Sequence, residues 1–422
     1  MKTLSLLADR ERPQPADAHS PGLVGRSLDG FAERALRARL STLENGRVTI
    51  VDGTRRDTYG RITPLCGLHA TVHVHDRRFH AEVAFGGSVA AGESFMAGDW
   101  TVDDLTALLR ILLANRNLLD GIDAGWSRAA APARRLLHAA ARNTRSGSRR
   151  NISAHYDIGN DFFGLFLDPT MTYSCAYFER DGMALEEAQV AKLDRLCRGL
   201  RLKPTDHLLE IGTGWGALAL HAATRYGCRV TTTTISREQH ALARQRIDAA
   251  GLADRITLRL DDYRDLDGRY DKIVSVEMIE AVGHHYFEAF FRRCSELLAP
   301  GGLMALQSIT IADHRYERAR DDVDFIKRYI FPGCCIPSVS ALAGAMARAS
   351  DLRIVHLEDI GPHYATTLAR WRDGFLANLP RIRALGFGES FIRMWEFYLC
   401  YCEAGFAEKA LGDVQMIIEK EG

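Results

Sequence analysis

At 422 residues the chain is long enough for two or three domains, and its 54 basic and 54 acidic side chains cancel, which excludes a global field that would favour nucleic acid. No run approaches the ~20 apolar residues that a membrane span needs. The nine cysteines follow no disulfide framework and contain no C-x-x-C pair, which points to reduced thiols in a cytoplasmic setting and to no metal site.

In chain order, residues 1–36 open with an apolar patch that Ala8, Asp9 and Arg10 interrupt at once, too short for a secretory signal, and read as a disordered tail. Residues 37–130 read as a small α+β unit. Within it 47–52 (RVTIVD), 70–75 (ATVHVH) and 79–84 (FHAEVA) alternate like half-buried strands, and 102–114 (VDDLTALLRILLA) has helical spacing, with Asp103 and Asp104 near its N-terminus. Its polar residues form no catalytic set, which leaves docking, dimerisation or lipid handling. Residues 131–150 read as a basic linker. Its Arg134, Arg135, Arg142, Arg145, Arg149 and Arg150 would be drawn to an anionic bilayer at about 1 kcal/mol each, although an ordinary solvated linker accounts for them equally well.

Residues 151–422 read as the catalytic domain. The stretch 152–178 is dense in aromatics, most of which read as core, and carries His155, Tyr156, Tyr173, Ser174 and Cys175. A helix over 185–198 leads to the stretch on which the rest depends, 206–216 (DHLLEIGTGWG). The run Leu208, Leu209, Glu210, Ile211 reads as a buried parallel strand. It passes into Gly212, Thr213, Gly214, Trp215 and Gly216, and then into a helix that ends at Gly227. Strand, glycine turn and helix N-terminus make a nucleotide cradle. The third glycine comes one position earlier than in the dinucleotide fingerprint, which suits S-adenosylmethionine, a ligand without phosphate. Strand and helix then alternate: strands at 229–235, 256–260, 272–276 and 303–309, helices at 237–250 and 286–298. This is the pattern of a doubly wound parallel α/β sheet with its ligand over the carboxyl ends of the strands. Those ends hold Thr234, Ser236 and Gln239, then Asp262 and Tyr263, then Glu280, then Gln307 to Ile309. At the C-terminus, 391–406 reads as an amphipathic helix, for which packing on the sheet is favoured over membrane contact, and 413–420 as the last strand.

Seven ordered phrases, HYDIGNDFF, TYSCAYFE, LLEIGTGWG, TISREQ, EMIEAVGHHYF, YIFPGCCIPS and PHYATTLARW, make the chain resemble the cyclopropane-fatty-acid synthases, a group that includes the mycolic acid cyclopropane synthases. The resemblance runs from about residue 37 to the C-terminus, and GESFMAGDW (92–100) is typical of the small N-terminal domain of the bacterial synthases. It implies a seven-stranded Rossmann-like S-adenosylmethionine methyltransferase. Such an enzyme works from the cytoplasm on the inner face of the membrane and adds a methyl-derived carbon to the cis double bond of an unsaturated phospholipid acyl chain. The resemblance also implies a homodimer through the first unit. The methyl donor would be held by Tyr173 and Ser174, by Leu208 through Gly216, by Thr234, Ser236 and Gln239, and by Asp262, Tyr263 and Arg264 around the adenine. A bicarbonate ion would act as base, with ligands corresponding to Cys175, Glu280, Tyr364, the backbone at Ile309 and a histidine whose place Gln307 takes here.

In such a reaction the alkene attacks the sulfonium methyl, which must be held in line, and a carbocation results that aromatic faces and a dry pocket stabilise. Phe162, Phe163, Tyr173, Tyr177 and Tyr329 are the candidate rings. Glu280 would orient the bicarbonate that removes the last proton. Glutamine can donate a hydrogen bond but cannot relay a proton, so Gln307 leaves two outcomes open: cyclopropanation, or a hydride shift and proton loss giving a methyl- or methylene-branched chain. Two rivals remain. One is a methyltransferase for a small metabolite, against which stands the apolar tunnel expected of 324–337. The other is a lipid-binding protein without activity, against which stands the joint presence of the glycine turn, Cys175, Glu280 and Tyr364.

Overall fold

The computed structural model describes residues 23–115 and 158–422, with side chains from residue 30 onward. The basic linker, the first 22 residues, His155 and Tyr156 lie outside the described residues. Two compact units emerge. The first takes the described residues up to 115 together with Asp322–Ile330 and Leu379–Ala410; the second takes those from 158 to Asp321, Phe331–Asn378 and Leu411–Gly422. The expected contiguous division at 131–150 therefore differs from the grouping of contacts, which returns two later segments to the first unit.

The first unit begins with a helix, Leu23–Leu40, where a disordered tail was expected up to residue 36. Ala32, Leu36 and Leu40 recur at four-residue spacing and are all buried, which gives that helix a core face. Its sheet runs β2-β1-β3-β4, with β1 Gly46–Asp52, β2 Arg55–Arg61, β3 His69–Val74 and β4 Trp100–Val102. β2 (RRDTYGR) carries no apolar face because it is an exposed edge strand paired only to β1. The expected strand at 79–84 is wrong: Arg78–Ala97 is one helix, kinked at Gly87. Six alternating residues are too short a window to separate strand from helix, whereas the full segment is alanine-rich and long. The next helix is Leu105–Ala114, capped by Asp104, whose carboxylate accepts from the Ala107 N–H at 2.8 Å.

The second unit is a seven-stranded sheet in the order β10-β11-β9-β8-β5-β6-β7, with β5 His207–Ile211, β6 Arg229–Thr233, β7 Ile256–Arg259, β8 Tyr270–Val276, β9 Leu298–Ile311, β10 Leu352–Asp359 and β11 Leu411–Lys420. Pairs among β5 to β9 are parallel, and β11 enters antiparallel between β9 and β10. Alternate side chains feed two apolar layers. Leu209, Ile211, Ile273 and Met304 meet the helices Phe287–Leu297 and Val339–Ala349 on one face. Leu208, Val230, Val274 and Leu303 meet Leu185–Gly199, Ala217–Tyr226 and Arg237–Ala249 on the other. This is the doubly wound seven-stranded methyltransferase fold, and the first unit is a small α+β unit. The helix Glu389–Ala407, expected on this sheet, packs instead on Arg78–Ala97 and Leu105–Ala114 in the first unit.

Candidate active site

The glycine turn follows β5 as expected. Gly212, Gly214 and Gly216 have φ of 106°, 52° and 89°, a region that favours glycine, and Gly216 caps the helix Ala217–Tyr226. A Cβ on Gly214 would meet nothing within 4 Å, so the backbone there faces open space. The turn is pinned from below: the N–H groups of Gly212 and Thr213 both donate to the Thr233 carbonyl at 3.0 Å, and the Thr213 and Thr232 hydroxyls lie 2.7 Å apart. Glu210 is buried and accepts from the Thr232 hydroxyl at 2.6 Å, and burial pushes its carboxyl up to about 8.

The other residues expected to hold the cofactor make the following contacts. Ser236 caps the helix Arg237–Ala249 through the Gln239 N–H, and the Gln239 amide oxygen accepts from the Thr234 hydroxyl at 2.8 Å. Asp262 is gripped by the Arg264 guanidinium at 2.8 and 2.6 Å. The buried Tyr263 hydroxyl has no hydrogen-bond partner among the described residues. Trp215 donates to Asn160 at 2.6 Å, and its ring lies 5.2 Å from that of Phe163. Phe163 leads on to Tyr173 at 5.3 Å, and Tyr173 to Trp371 at 5.1 Å, which builds an aromatic wall. Ser174 accepts from Lys192 at 2.6 Å. Tyr177 instead lies against His363, and Tyr329 belongs to the first unit, where its hydroxyl donates to Glu93. The segment 324–337, expected to line a tunnel, is itself divided between the two units after Ile330.

Cys175, Glu280, Gln307, Ile309 and Tyr364 also come together, yet around a residue that the sequence reading did not single out, Glu277. One oxygen of its carboxylate accepts from the Cys175 backbone N–H at 2.8 Å and from the Gln307 amide at 2.8 Å; the other accepts from the Tyr364 hydroxyl at 2.6 Å. The Ile309 N–H donates to Glu280 at 2.6 Å, beside the Ser308 hydroxyl at 2.9 Å. The donors expected to hold bicarbonate are therefore engaged by the protein's own carboxylates, and a bicarbonate does not fit them as they stand. The residues expected to hold S-adenosylmethionine leave open space above Gly214 and do fit.

The cluster is rich in ionisable groups and largely buried. Burial pushes the Asp413 carboxyl well above its ordinary range and that of Glu280 up to about 8, in each case with a neighbouring carboxylate adding to the rise. Burial also raises the Glu277 carboxyl, against the Tyr364 hydrogen bond, the Cys175 N–H and the Lys192 charge. With three donors directed at it and Lys192 nearby, Glu277 is the member suited to keep a negative charge at neutral pH. The Cys175 thiol, fully buried, is pushed well above its usual value by desolvation, so it stays protonated and is no nucleophile. Among the described residues there is no group of three or more His, Cys, Asp or Glu side chains placed to hold a metal.

Comparisons with known proteins place the chain among its relatives. A profile described as mycolic acid cyclopropane synthetase matches residues 143–416. The chain is 40% identical over 430 residues to a tuberculostearic acid methyltransferase of Mycobacterium tuberculosis, covering 100% of this chain and 98% of that protein. It is 37% identical over 352 residues to the cyclopropane-fatty-acyl-phospholipid synthase of Escherichia coli, covering 82% of this chain and 86% of the synthase. Among solved structures, a mycolic acid cyclopropane synthase complexed with SAH and CTAB superimposes with a TM-score of 0.61 at 33% identity, over 64% of this chain and 98% of that one.

Proposed function

This chain belongs to the mycolic acid cyclopropane synthetase family, and from that premise we propose that it methylates the cis double bond of an unsaturated acyl chain, giving a methyl- or methylene-branched product. The observation that carries the reading is the meeting of three features in one unit: a glycine turn open at the strand ends, an aromatic wall from Trp215 to Trp371, and the half-buried Glu277, whose carboxylate collects three donors. The branched outcome is favoured by likeness over the whole chain to a tuberculostearic acid methyltransferase. Likeness to the phospholipid synthase supports the second reading, a cyclopropane on a phospholipid acyl chain.

S-adenosylmethionine would be held by the glycine turn, by Thr234, Ser236 and Gln239, by the Asp262–Arg264 segment and by Tyr173 and Ser174; it supplies an electrophilic methyl. The protein's own part is orientation and exclusion of water. An isolated alkene is a weak nucleophile, so holding it in line at near-attack distance is the largest gain on offer. Tyr173, in contact with Phe163 and Trp371, would stabilise a developing positive charge through its ring without offering water that would capture it. No helix of the described residues is long and apolar enough to cross a membrane.

Purified protein, methyl-deuterated S-adenosylmethionine and vesicles of a cis-unsaturated phospholipid or the free fatty acid test the proposal, with products identified by mass spectrometry and NMR. A labelled branched chain is expected; a labelled cyclopropane would select the second reading. Label absent from every lipid, with S-adenosylmethionine binding intact, would overturn both.

A further inference from the structure

We propose that Glu277 is the catalytic base of this site, its carboxylate occupying the place that a bicarbonate ion would otherwise take; the inference rests on the acyl-chain methylation reading above. Its three donors, Cys175, Gln307 and Tyr364, are the groups that would otherwise bind the ion, at 2.8, 2.8 and 2.6 Å. A planar carboxylate presents the same O–C–O edge as bicarbonate, so donors arranged for one accept the other.

Two further observations point to a working group rather than a structural one. Glu277 has φ of +47°, a left-handed conformation that costs a non-glycine residue on the order of 1 kcal/mol. It sits immediately after β8, at the carboxyl edge where ligands bind in this fold, and the adjoining Met278 lies 3.5 Å from the position of a Cβ on Gly212. The backbone is thus held in an unfavourable state beside the methyl-donor turn. As a whole residue Glu277 is half-buried, whereas Glu280 and Asp413 are buried.

The chemistry balances with groups that the reading already supplies. The alkene π pair forms the bond to the methyl carbon, and sulfur leaves with the S–CH3 pair as S-adenosylhomocysteine. Positive charge then rests on the neighbouring chain carbon. A C–H bond of the new methyl breaks, its proton going to the Glu277 oxygen that Tyr364 holds. Its electron pair closes the three-membered ring or, after a hydride shift along the chain, forms the methylene double bond. Glu277 returns its proton to water when product leaves. In both outcomes the base takes a proton from the same carbon, so the assignment stands for either product.

The test combines turnover with ion binding. In buffer stripped of carbon dioxide, the wild type should keep its full rate, and added bicarbonate should change nothing. Glu277→Gln should bind S-adenosylmethionine as the wild type does yet turn over about 100-fold or more slowly, the usual worth of a general base. Glu277→Ala should be equally slow and should regain rate when bicarbonate or formate enters the space left between Cys175, Gln307 and Tyr364. Because a base must be ionised, the wild-type rate should fall as pH drops through the Glu277 pKa, which burial places above the ordinary glutamate value. Asp413, Glu280, Lys192, Tyr364 and Cys175 face the same group, so that limb should disappear in the bicarbonate-independent residual rate of Glu277→Gln. Carbon-13 bicarbonate, observed by NMR, should bind Glu277→Ala and not the wild type. A wild type that needs bicarbonate or binds it, or a Glu277→Gln variant at full rate, would overturn the proposal. If the wild type labels no lipid under any condition, the methylation reading fails, and the bicarbonate-binding arm still decides which carboxylate occupies the site.

Discussion

Gln307, fully buried, uses both of its N–H donors and one acceptor position of its oxygen. Its amide nitrogen donates to Glu277 at 2.8 Å and Asp413 at 2.9 Å, and its oxygen accepts from Gln415 at 3.0 Å. The orientation is fixed electrostatically, since an amide oxygen turned toward two carboxylate oxygens would be repelled. Gln307→His offers two ring nitrogens for three partners and strands one of them. We expect a loss of about 1–3 kcal/mol of stability, the worth of an unsatisfied buried polar group, read by thermal unfolding, together with slower turnover because Glu277 loses a donor. An unchanged melting temperature and an unchanged rate would show that the network repacks around histidine. At this scale the sequence marked Cys175, Glu280, Gln307, Ile309 and Tyr364 as one set. It passed over Glu277, three residues before Glu280, because a single acid after a strand has no pattern of its own. The positive φ that would have marked it is a property of the backbone.

Among the elements, the strand–turn–helix over 207–226 was legible because local rules agree there: an apolar strand, glycines at positive φ, and Gly227 with φ of 69° ending the helix. Gly216 carries a double constraint. Its φ is 89°, and an added Cβ would lie 3.4 Å from the Cβ of Ala243. Gly216→Ala should therefore cost about 1–2 kcal/mol and weaken S-adenosylmethionine binding severalfold, measured by calorimetry. Binding and stability equal to the wild type would mean that the turn relaxes freely. β6 makes the opposite lesson. Its Thr231, Thr232 and Thr233 are buried although polar, because their hydroxyls reach His207, Glu210 and the Asp261 carbonyl. The helix Arg78–Ala97 was misread as a strand because its alternation spans six residues and its helical packing is tertiary.

At the scale of the molecule, the chain returns to its first unit after most of the second has been built. Within the helix Glu389–Ala407, Met394, Trp395, Phe397 and Leu399 are buried, with Phe397 5.9 Å from Phe95 and Arg393 over the Phe95 ring at 5.3 Å. Glu403 and Glu408 accept from Thr106 and Arg110. A truncation starting at residue 151 would keep this helix and delete what it packs on. At about 1.5–3 kcal/mol for each large apolar side chain, the exposed surface rivals the whole stability of an ordinary domain. Such a truncation should aggregate or melt far below the full chain, checked by size-exclusion chromatography and thermal unfolding. A monomeric, equally stable fragment would show the second unit to be self-sufficient.

By itself the sequence determined what depends on local pattern: the alternating strands and helices, the glycine turn, the order of the motifs, and so the family. Those features follow from period and backbone conformation over a few residues. Tertiary structure decided the rest. It set which unit the C-terminal helix joins, that 23–36 are helical, and that the donors expected to hold a free ion converge on Glu277. Convergence of Cys175, Glu277, Gln307 and Tyr364 depends on segments up to 189 residues apart in number, brought together by the strand order and by burial, and no short window of sequence contains that information.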